Sequence, residues 1–138
     1  MGVITLGHYF IEDNNIKDDK KSYTFMFNDN KFIFNTNSGV FCKDYLDFGS
    51  KLLLENLPFD LIKGNVLDLG CGYGPIGIII AKNTKTFVHM VDINNKALLL
   101  ASKNANDNGV TNVKIYNSNI YDSIDEKFDF IVTNPPIR

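Results

Sequence analysis

Two stretches of the chain place residues that could do chemistry. In the first, VLDLGCGYGPIG (66–77), Gly70, Gly72 and Gly74 follow an apolar run and precede a helix-forming one. Glycines reach positive φ and let a backbone approach a ligand closely, while a helix N-terminus behind them offers N–H groups and the positive end of a dipole. This order of strand, glycine loop and helix suits the carboxylate or phosphate of a bound cofactor. Asp92, twenty residues beyond Gly72, falls at the end of the next apolar segment, where a carboxylate accepts hydrogen bonds from ribose hydroxyls. The same carboxylate could instead cap the helix that begins after it. Gly72, Gly74 and Gly77 also fit the dinucleotide pattern G-x-G-x-x-G, so this spacing alone leaves the identity of the cofactor open.

The second stretch is FDFIVTNPPIR (128–138), in which Asn134, Pro135 and Pro136 follow an apolar strand end. Consecutive prolines fix φ, donate nothing and hold the flanking carbonyls in one direction, which makes a rigid acceptor surface. With the Asn134 side-chain oxygen and the Pro135 carbonyl as acceptors, such a surface grips an amino group. Strand ends of this kind are where ligands bind in open α/β sheets.

The elements that position these residues are legible in the periodicity. Apolar strands are expected at 66–69, 86–91, 113–116 and 128–132, separated by helical stretches. That alternation predicts a parallel sheet built from βαβ units. The first crossover helix starts at Pro75, a favoured first helical position, and the second, NKALLLASKNANDN (95–108), stops at Gly109, a C-terminal cap. Ahead of the core, 22–35 alternates apolar and polar residues on both sides of Asn28-Asp29-Asn30, which predicts a β-hairpin. The segment YLDFGSKLLLENL (45–57) spaces Leu46, Leu53, Leu54 and Leu57 for one face of a helix that ends before Pro58. The chain thus divides into an N-terminal extension, 1–62, and a core, 63–138. A doubly wound sheet normally continues past its fourth strand, so the sequence reads as truncated, with that strand an unpaired edge.

Composition narrows the class. With 138 residues and 44% hydrophobic residues there is material for one globular domain, and the longest apolar runs fall far short of the roughly 20 residues that cross a bilayer. The N-terminus lacks the pattern of a secretory signal, so a cytoplasmic protein, a monomer or weak dimer, is expected. Cys42 and Cys71 are too far apart for a zinc site or disulfide framework and are read as free thiols, with no metal expected. The net charge of −2 shows no basic stripe for phosphates; Lys17, Lys20 and Lys21 interleave with Asp18 and Asp19 as a solvated loop. His89 lies inside an apolar strand and is read as structural, and His8 is given no catalytic role.

Taken whole, LDLGCGYG resembles the first motif of class I S-adenosylmethionine-dependent methyltransferases, with Asp68 as the acidic residue two positions before the first glycine. The resemblance implies an α/β, Rossmann-like, mostly parallel sheet carrying the N-terminal hairpin and helix. It implies S-adenosylmethionine as cofactor, with the methionine part on Gly70, Gly72 and Gly74, the ribose on Asp92 beside Ile93, and the adenine at Asn119 and Ile120. Family members often carry aspartate where Asn119 stands.

NPPI is similar to the N/D-P-P-aromatic motif of amino-methylating enzymes, which act on adenine N6, cytosine N4, guanine N2 or protein glutamine. Ile137 departs from it, because an isoleucine covers a base by apolar contact without stacking. An amine conjugated to a ring is a poor nucleophile; acceptors at Asn134 and Pro135 let its nitrogen pyramidalise toward a methyl donor. HYF near the start, SGVFCKDYLDFGSKLLLE and the terminal NPPIR together resemble the methyltransferase small domain family, whose best-known members are bacterial small-subunit ribosomal RNA guanine-N2 methyltransferases. By that resemblance Phe41 lies near the methyl group, Lys43 and Arg138 at the substrate mouth, and the catalytic set is Asn134, Pro135, Pro136 and Ile137. Phe41 could equally be an ordinary core aromatic. The expected activity is methylation of a guanine N2 in 16S ribosomal RNA, with ribosomal RNA or the small subunit as partner. Two rivals are a nicotinamide-dependent oxidoreductase, which leaves Asn134 without a use, and a non-catalytic RNA-binding or assembly module on the same fold.

Overall fold

The computed structural model describes residues 20–37 and 45–134. Two antiparallel strands, β1 (Lys20–Phe27) and β2 (Asn30–Asn37), are joined by a two-residue turn. Asn28 and Asp29 both take positive φ, 48° and 65°, the geometry whose twist matches that of the flanking strands. The hairpin is two residues longer at each end than the alternation predicts. Its alternation sets the inner face, with Tyr23, Phe32 and Phe34 buried.

After α1 (Phe48–Asn56) and a 3-10 turn at Phe59–Leu61 come β3 (Asn65–Leu69), α2 (Pro75–Asn83), β4 (Phe87–Asp92), α3 (Asn95–Asp107), β5 (Val113–Asn117) and β6 (Phe130–Thr133). The last four strands form one parallel sheet in the order β5-β4-β3-β6. The chain therefore steps outward from β3 through β4 to β5, then returns to the other side of β3 for β6. That reversal leaves a crevice beyond the carboxyl ends of β3 and β6, between Leu69 and Thr133. This is the predicted α/β architecture, and it brings the glycine loop beside Asn134.

The local chemistry explains the boundaries. Asp47 caps α1 by accepting from the Ser50 N–H, so the helix starts at Phe48 and the buried Leu46 sits ahead of it. Asn94 caps α3, accepting from Lys96 and Ala97. The helix ends with Gly109 at φ 65°, the Gly109 N–H on Asn106 O and the Val110 N–H on Ala105 O, a paired C-terminal cap. The last strand begins at Phe130, two residues later than predicted. Phe128 instead packs edge-on against His89, with ring centroids 4.9 Å apart.

One hydrophobic cluster joins the hairpin to the sheet, from Tyr23 and Phe34 through Tyr73 to Ile78, Met90 and Val132. The hairpin is also held by polar bonds. Asn104 on α3 and Asn108 at its C-cap, one turn apart, each present a side-chain amide to the β2 edge as a peptide group would. Asn108 pairs with the N–H and carbonyl of Ile33 (2.9 and 2.8 Å), and Asn104 with those of Asn35 (2.7 and 3.1 Å). Among the described residues no helix is long and apolar enough to cross a membrane.

Candidate active site

A cleft of about 930 Å³ opens beyond the carboxyl ends of the parallel strands. Asp68, Gly70, Gly72, Asp92, Ile93, Asn119, Ile120 and Asn134, all picked from sequence, line it together. Gly74 sits one layer deeper: a Cβ there would meet Ile78 Cδ1 at 2.9 Å and Met90 Cε at 3.0 Å. Its role is packing of the helix entry, and it does not line the cleft. Pro135, Pro136, Ile137, Arg138, Phe41, Lys43, Cys42 and His8 lie outside the described residues.

The glycine loop hangs from β4. Gly70 and Cys71 both donate to the Val91 carbonyl (2.9 and 2.8 Å), and Gly72 donates to Asp92 Oδ2 at 2.8 Å. Gly70 has φ 73°, and a Cβ built on it would meet nothing within 4 Å, so its missing side chain is open space at the cleft wall. Gly77 has the opposite situation. A Cβ there would come within 2.8 Å of Asp68 Oδ2 and 2.7 Å of Met90 Cγ, so only glycine lets α2 lie this close to β3 and β4.

The start of α2 offers fewer free donors than an unencumbered helix end. Pro75 supplies no N–H, and the Gly77 N–H is held by Asp68 Oδ2 at 2.9 Å. Asp68 is buried, and burial pushes its carboxyl up to about 7, with the nearby Asp92 charge adding to the rise and the Gly77 N–H opposing it. A group so placed exchanges its proton near neutrality and faces the cleft, where a cation would favour its ionised form.

Asp92 divides its carboxylate between two backbone donors, Gly72 N on Oδ2 and Asn94 N on Oδ1 at 2.9 Å. The capping role that could have competed for Asp92 belongs to Asn94. Each Asp92 oxygen keeps further acceptor capacity for ribose hydroxyls. Beside it, Ile93 and Ile120 are 64% and 60% exposed, two apolar surfaces facing one cleft. Ile120 takes φ 57°, a strained choice for a β-branched residue. Ser118 enforces it: buried, it donates to the Ile120 carbonyl at 2.6 Å and accepts from Ser123 N at 3.2 Å. Ser118 was not singled out from sequence.

Opposite, Asn134 donates its side-chain N–H to Ser50 Oγ at 2.9 Å. Asp47, Gly49 and Ser50 also line the cleft, so α1 supplies a wall that the sequence motifs did not assign to the site. His89 is buried on the opposite face of the sheet from Met90, between Tyr116 OH (2.9 Å) and Glu126 (3.3 Å), and does not line the cleft. Burial holds its imidazole below the ordinary value despite Glu126. Cys71 is a buried free thiol that burial pushes up, and among the described residues no group of three His, Cys, Asp or Glu is placed to hold a metal ion.

A parallel sheet reversing at β3, a glycine loop there and an acidic residue at the end of the neighbouring strand are common to dinucleotide-binding folds and class I methyltransferases. The family match and the solved structures place this chain with the class I methyltransferases, whose cofactor is S-adenosylmethionine. The chain belongs to the methyltransferase small domain family, whose model matches residues 31–138. It is 43% identical over 134 residues to YbxB of Bacillus subtilis, an uncharacterized protein, covering 95% of this chain and 67% of that one. It is 43% identical over 101 residues to ribosomal RNA small subunit methyltransferase C of Haemophilus influenzae, covering 72% of this chain and 30% of that one. A solved structure of the Thermus thermophilus 16S rRNA N2 G1207 methyltransferase, in complex with AdoMet and guanosine, superposes with a TM-score of 0.76. It is 28% identical and is matched over 86% of this chain and 33% of its own. The chain therefore spans about a third of each of these two methyltransferases.

The cleft fits the cofactor on its own observations. Its volume suits a nucleoside-sized ligand. The open space at Gly70 leaves room for a chain of atoms along the loop, Asp92 offers acceptors, and Ile93 with Ile120 offers apolar cover.

Proposed function

We propose that this chain transfers a methyl group from S-adenosylmethionine to an exocyclic amine, and that the amine is the N2 of a guanine in 16S ribosomal RNA. The observation that carries the reading is the Asn134 amide, at the rim of the cofactor cleft with its nitrogen engaged by Ser50, so that its oxygen is the end left for a donor. The ribosomal RNA methyltransferases among the relatives, and the guanosine in the Thermus complex, support the choice of substrate.

In this reading Asp92 holds the ribose hydroxyls, Gly70 and Gly72 clear the wall for the methionine part, and Ile93, Asn119 and Ile120 flank the adenine. Asp68, ionised, faces the positive charge. When bound, S-adenosylmethionine would supply a methyl group on a sulfonium whose sulfur departs as a neutral thioether with the electrons of the broken C–S bond. The methylated amine, cationic after transfer, gives its extra proton to water. Asn134 Oδ1 and the Pro135 carbonyl accept the two amine hydrogens, which turns the nitrogen lone pair toward the cofactor side of the cleft and holds it for in-line attack. Pro136 stiffens that loop, and Ile137 covers the flat substrate. Phe41, Lys43 and Arg138 complete the substrate mouth. Residues 63–138 thus form the cofactor-binding core, and 1–62 are an extension packing on it, from which Asp47, Gly49 and Ser50 reach the cleft.

Asn134→Ala tests this. It should keep cofactor binding by calorimetry and lose methyl transfer by about 10²–10³, the usual cost of one preorganised acceptor. Small ribosomal subunits from a strain lacking the enzyme, with labelled methyl groups traced by nucleoside analysis, should show N2-methylguanosine. Label on adenine N6, cytosine N4 or protein glutamine would keep the mechanism and discard the guanine. Transfer at the wild-type rate by Asn134→Ala would remove the acceptor role.

A further inference from the structure

We propose that Asp47 and Ser50 are positioning residues that decide which end of the Asn134 amide faces the substrate. The inference rests on the reading of Asn134 as the amine acceptor. Asp47, the cap of α1, takes the Ser50 N–H on Oδ2 at 3.0 Å and the Ser50 hydroxyl proton on Oδ1 at 2.8 Å. A carboxylate only accepts, and a serine hydroxyl has one proton to give. With that proton spent on Asp47, Ser50 Oγ can only accept from Asn134, and Asn134 Nδ2 donates to it at 2.9 Å. The nitrogen end of the amide is thereby fixed on Ser50, which is buried, and Oδ1 is the end without that bond.

Gly49 holds the amide close. A Cβ there would come within 3.3 Å of Asn134 Oδ1 and 3.6 Å of Nδ2, so the side chain lies against the bare backbone of the same turn. The negative charge on Asp47 is read three residues along α1, and then across to the end of β6, as a polarity. In this orientation the Asn134 amide offers an acceptor to an N–H donor, whereas the reversed amide would offer a donor to a ring carbonyl. Selection of an amine over an oxo group is thus built in before any substrate binds.

Asp47→Asn inverts the polarity with almost no change of shape. The new amide keeps its oxygen on the Ser50 N–H, which needs an acceptor, and so turns its NH2 to Ser50 Oγ. The hydroxyl then gives its proton to Asn134, whose amide reverses and presents NH2 to the substrate. Expected are unchanged cofactor affinity and a kcat lower by about 10²–10³. Ser50→Ala frees the amide to take either orientation and should cost less. The double variant Asp47→Asn/Ser50→Ala should recover to the Ser50→Ala level, because without the hydroxyl the reversed signal is not passed on. A merely structural role for the pair predicts accumulating losses instead.

A second readout is independent of catalysis: the Asn134 side-chain NH2 protons should show a nuclear Overhauser effect to the Ser50 β protons in the wild type and lose it in Asp47→Asn. Wild-type kcat in Asp47→Asn, or a retained Overhauser effect, overturns the proposal. If the wild type methylates no amine on the subunit, the acceptor reading fails by itself, and the Overhauser comparison still decides the relay. If Asp47→Asn does not fold, a wild-type kcat in Ser50→Ala overturns it.

Discussion

Asn104 donates from its buried side-chain amide to the Tyr73 carbonyl at 2.8 Å, so one residue of α3 fastens the glycine loop while the same amide grips β2 through Asn35. The hairpin and the cofactor loop are therefore mechanically one unit.

Asn104→Ala should destabilise the fold by about 1–3 kcal/mol, because the Asn35 and Tyr73 backbone groups lose a partner in part-buried surroundings. Cofactor affinity should fall as well, since the loop is no longer tied at Tyr73. Thermal melting and calorimetry on the same sample check both; a stability loss with unchanged affinity would show that the tie does not matter to the loop.

The two glycines at opposite ends of the motif should fail in opposite ways. Gly70→Ala puts a methyl into open space at the cleft wall, at φ 73°, and should cost about 1–2 kcal/mol of strain while sharply weakening cofactor binding. Gly77→Ala drives a Cβ into Met90 and Asp68 and should cost about 1–3 kcal/mol or more in stability as overpacking. Urea denaturation and ligand titration of the two variants separate the cases.

Asp92→Ala should weaken S-adenosylmethionine binding by about 1–3 kcal/mol, and it also frees the Gly72 and Asn94 N–H groups that the carboxylate now holds. Asp92→Asn, which keeps one acceptor, should lose less. Calorimetry with S-adenosylmethionine, its demethylated product and NAD should give binding for the first two alone. Affinity for NAD only would return the oxidoreductase reading.

Asp68 predicts a pH dependence with a definite sign. Its folded-state pKa, about 7, lies above the ordinary carboxylate value, so the folded protein binds the proton more tightly than the unfolded chain. This group's stability is greatest below about pH 4 and is lost as pH rises from there toward 7. Cofactor binding runs the other way, because a cation favours the ionised carboxylate, and affinity should rise with pH and level off above 7. In Asp68→Asn both slopes should flatten. Melting and calorimetry between pH 5 and 8 give both; parallel slopes in wild type and variant would mean that Asp68 does not titrate there.

The alternation of short apolar runs with helical stretches, the glycine spacing and the residues at strand ends are local properties of the chain. For that reason the parallel sheet, and the meeting of the glycine loop, Asp92 and Asn134 at one cleft, could be read from sequence. Residue types and dihedral limits act within a few positions, and the hairpin turn at Asn28-Asp29 and the stop at Gly109 follow from them directly.

What only the tertiary structure decided involves partners far apart in the chain. Nothing near Asn104 indicates that its amide serves residues 31 and 69 positions away, nor does the segment around Ser50 point to a residue 84 positions on. Phe128 lies ahead of the strand with its ring edge-on to His89, a residue far earlier in the chain. A side-chain amide or hydroxyl has no preferred long-range partner of its own. Which donor meets which acceptor, and therefore which way the Asn134 amide faces, is settled only when the sheet has brought β6 against β3 and α1 has closed over the gap.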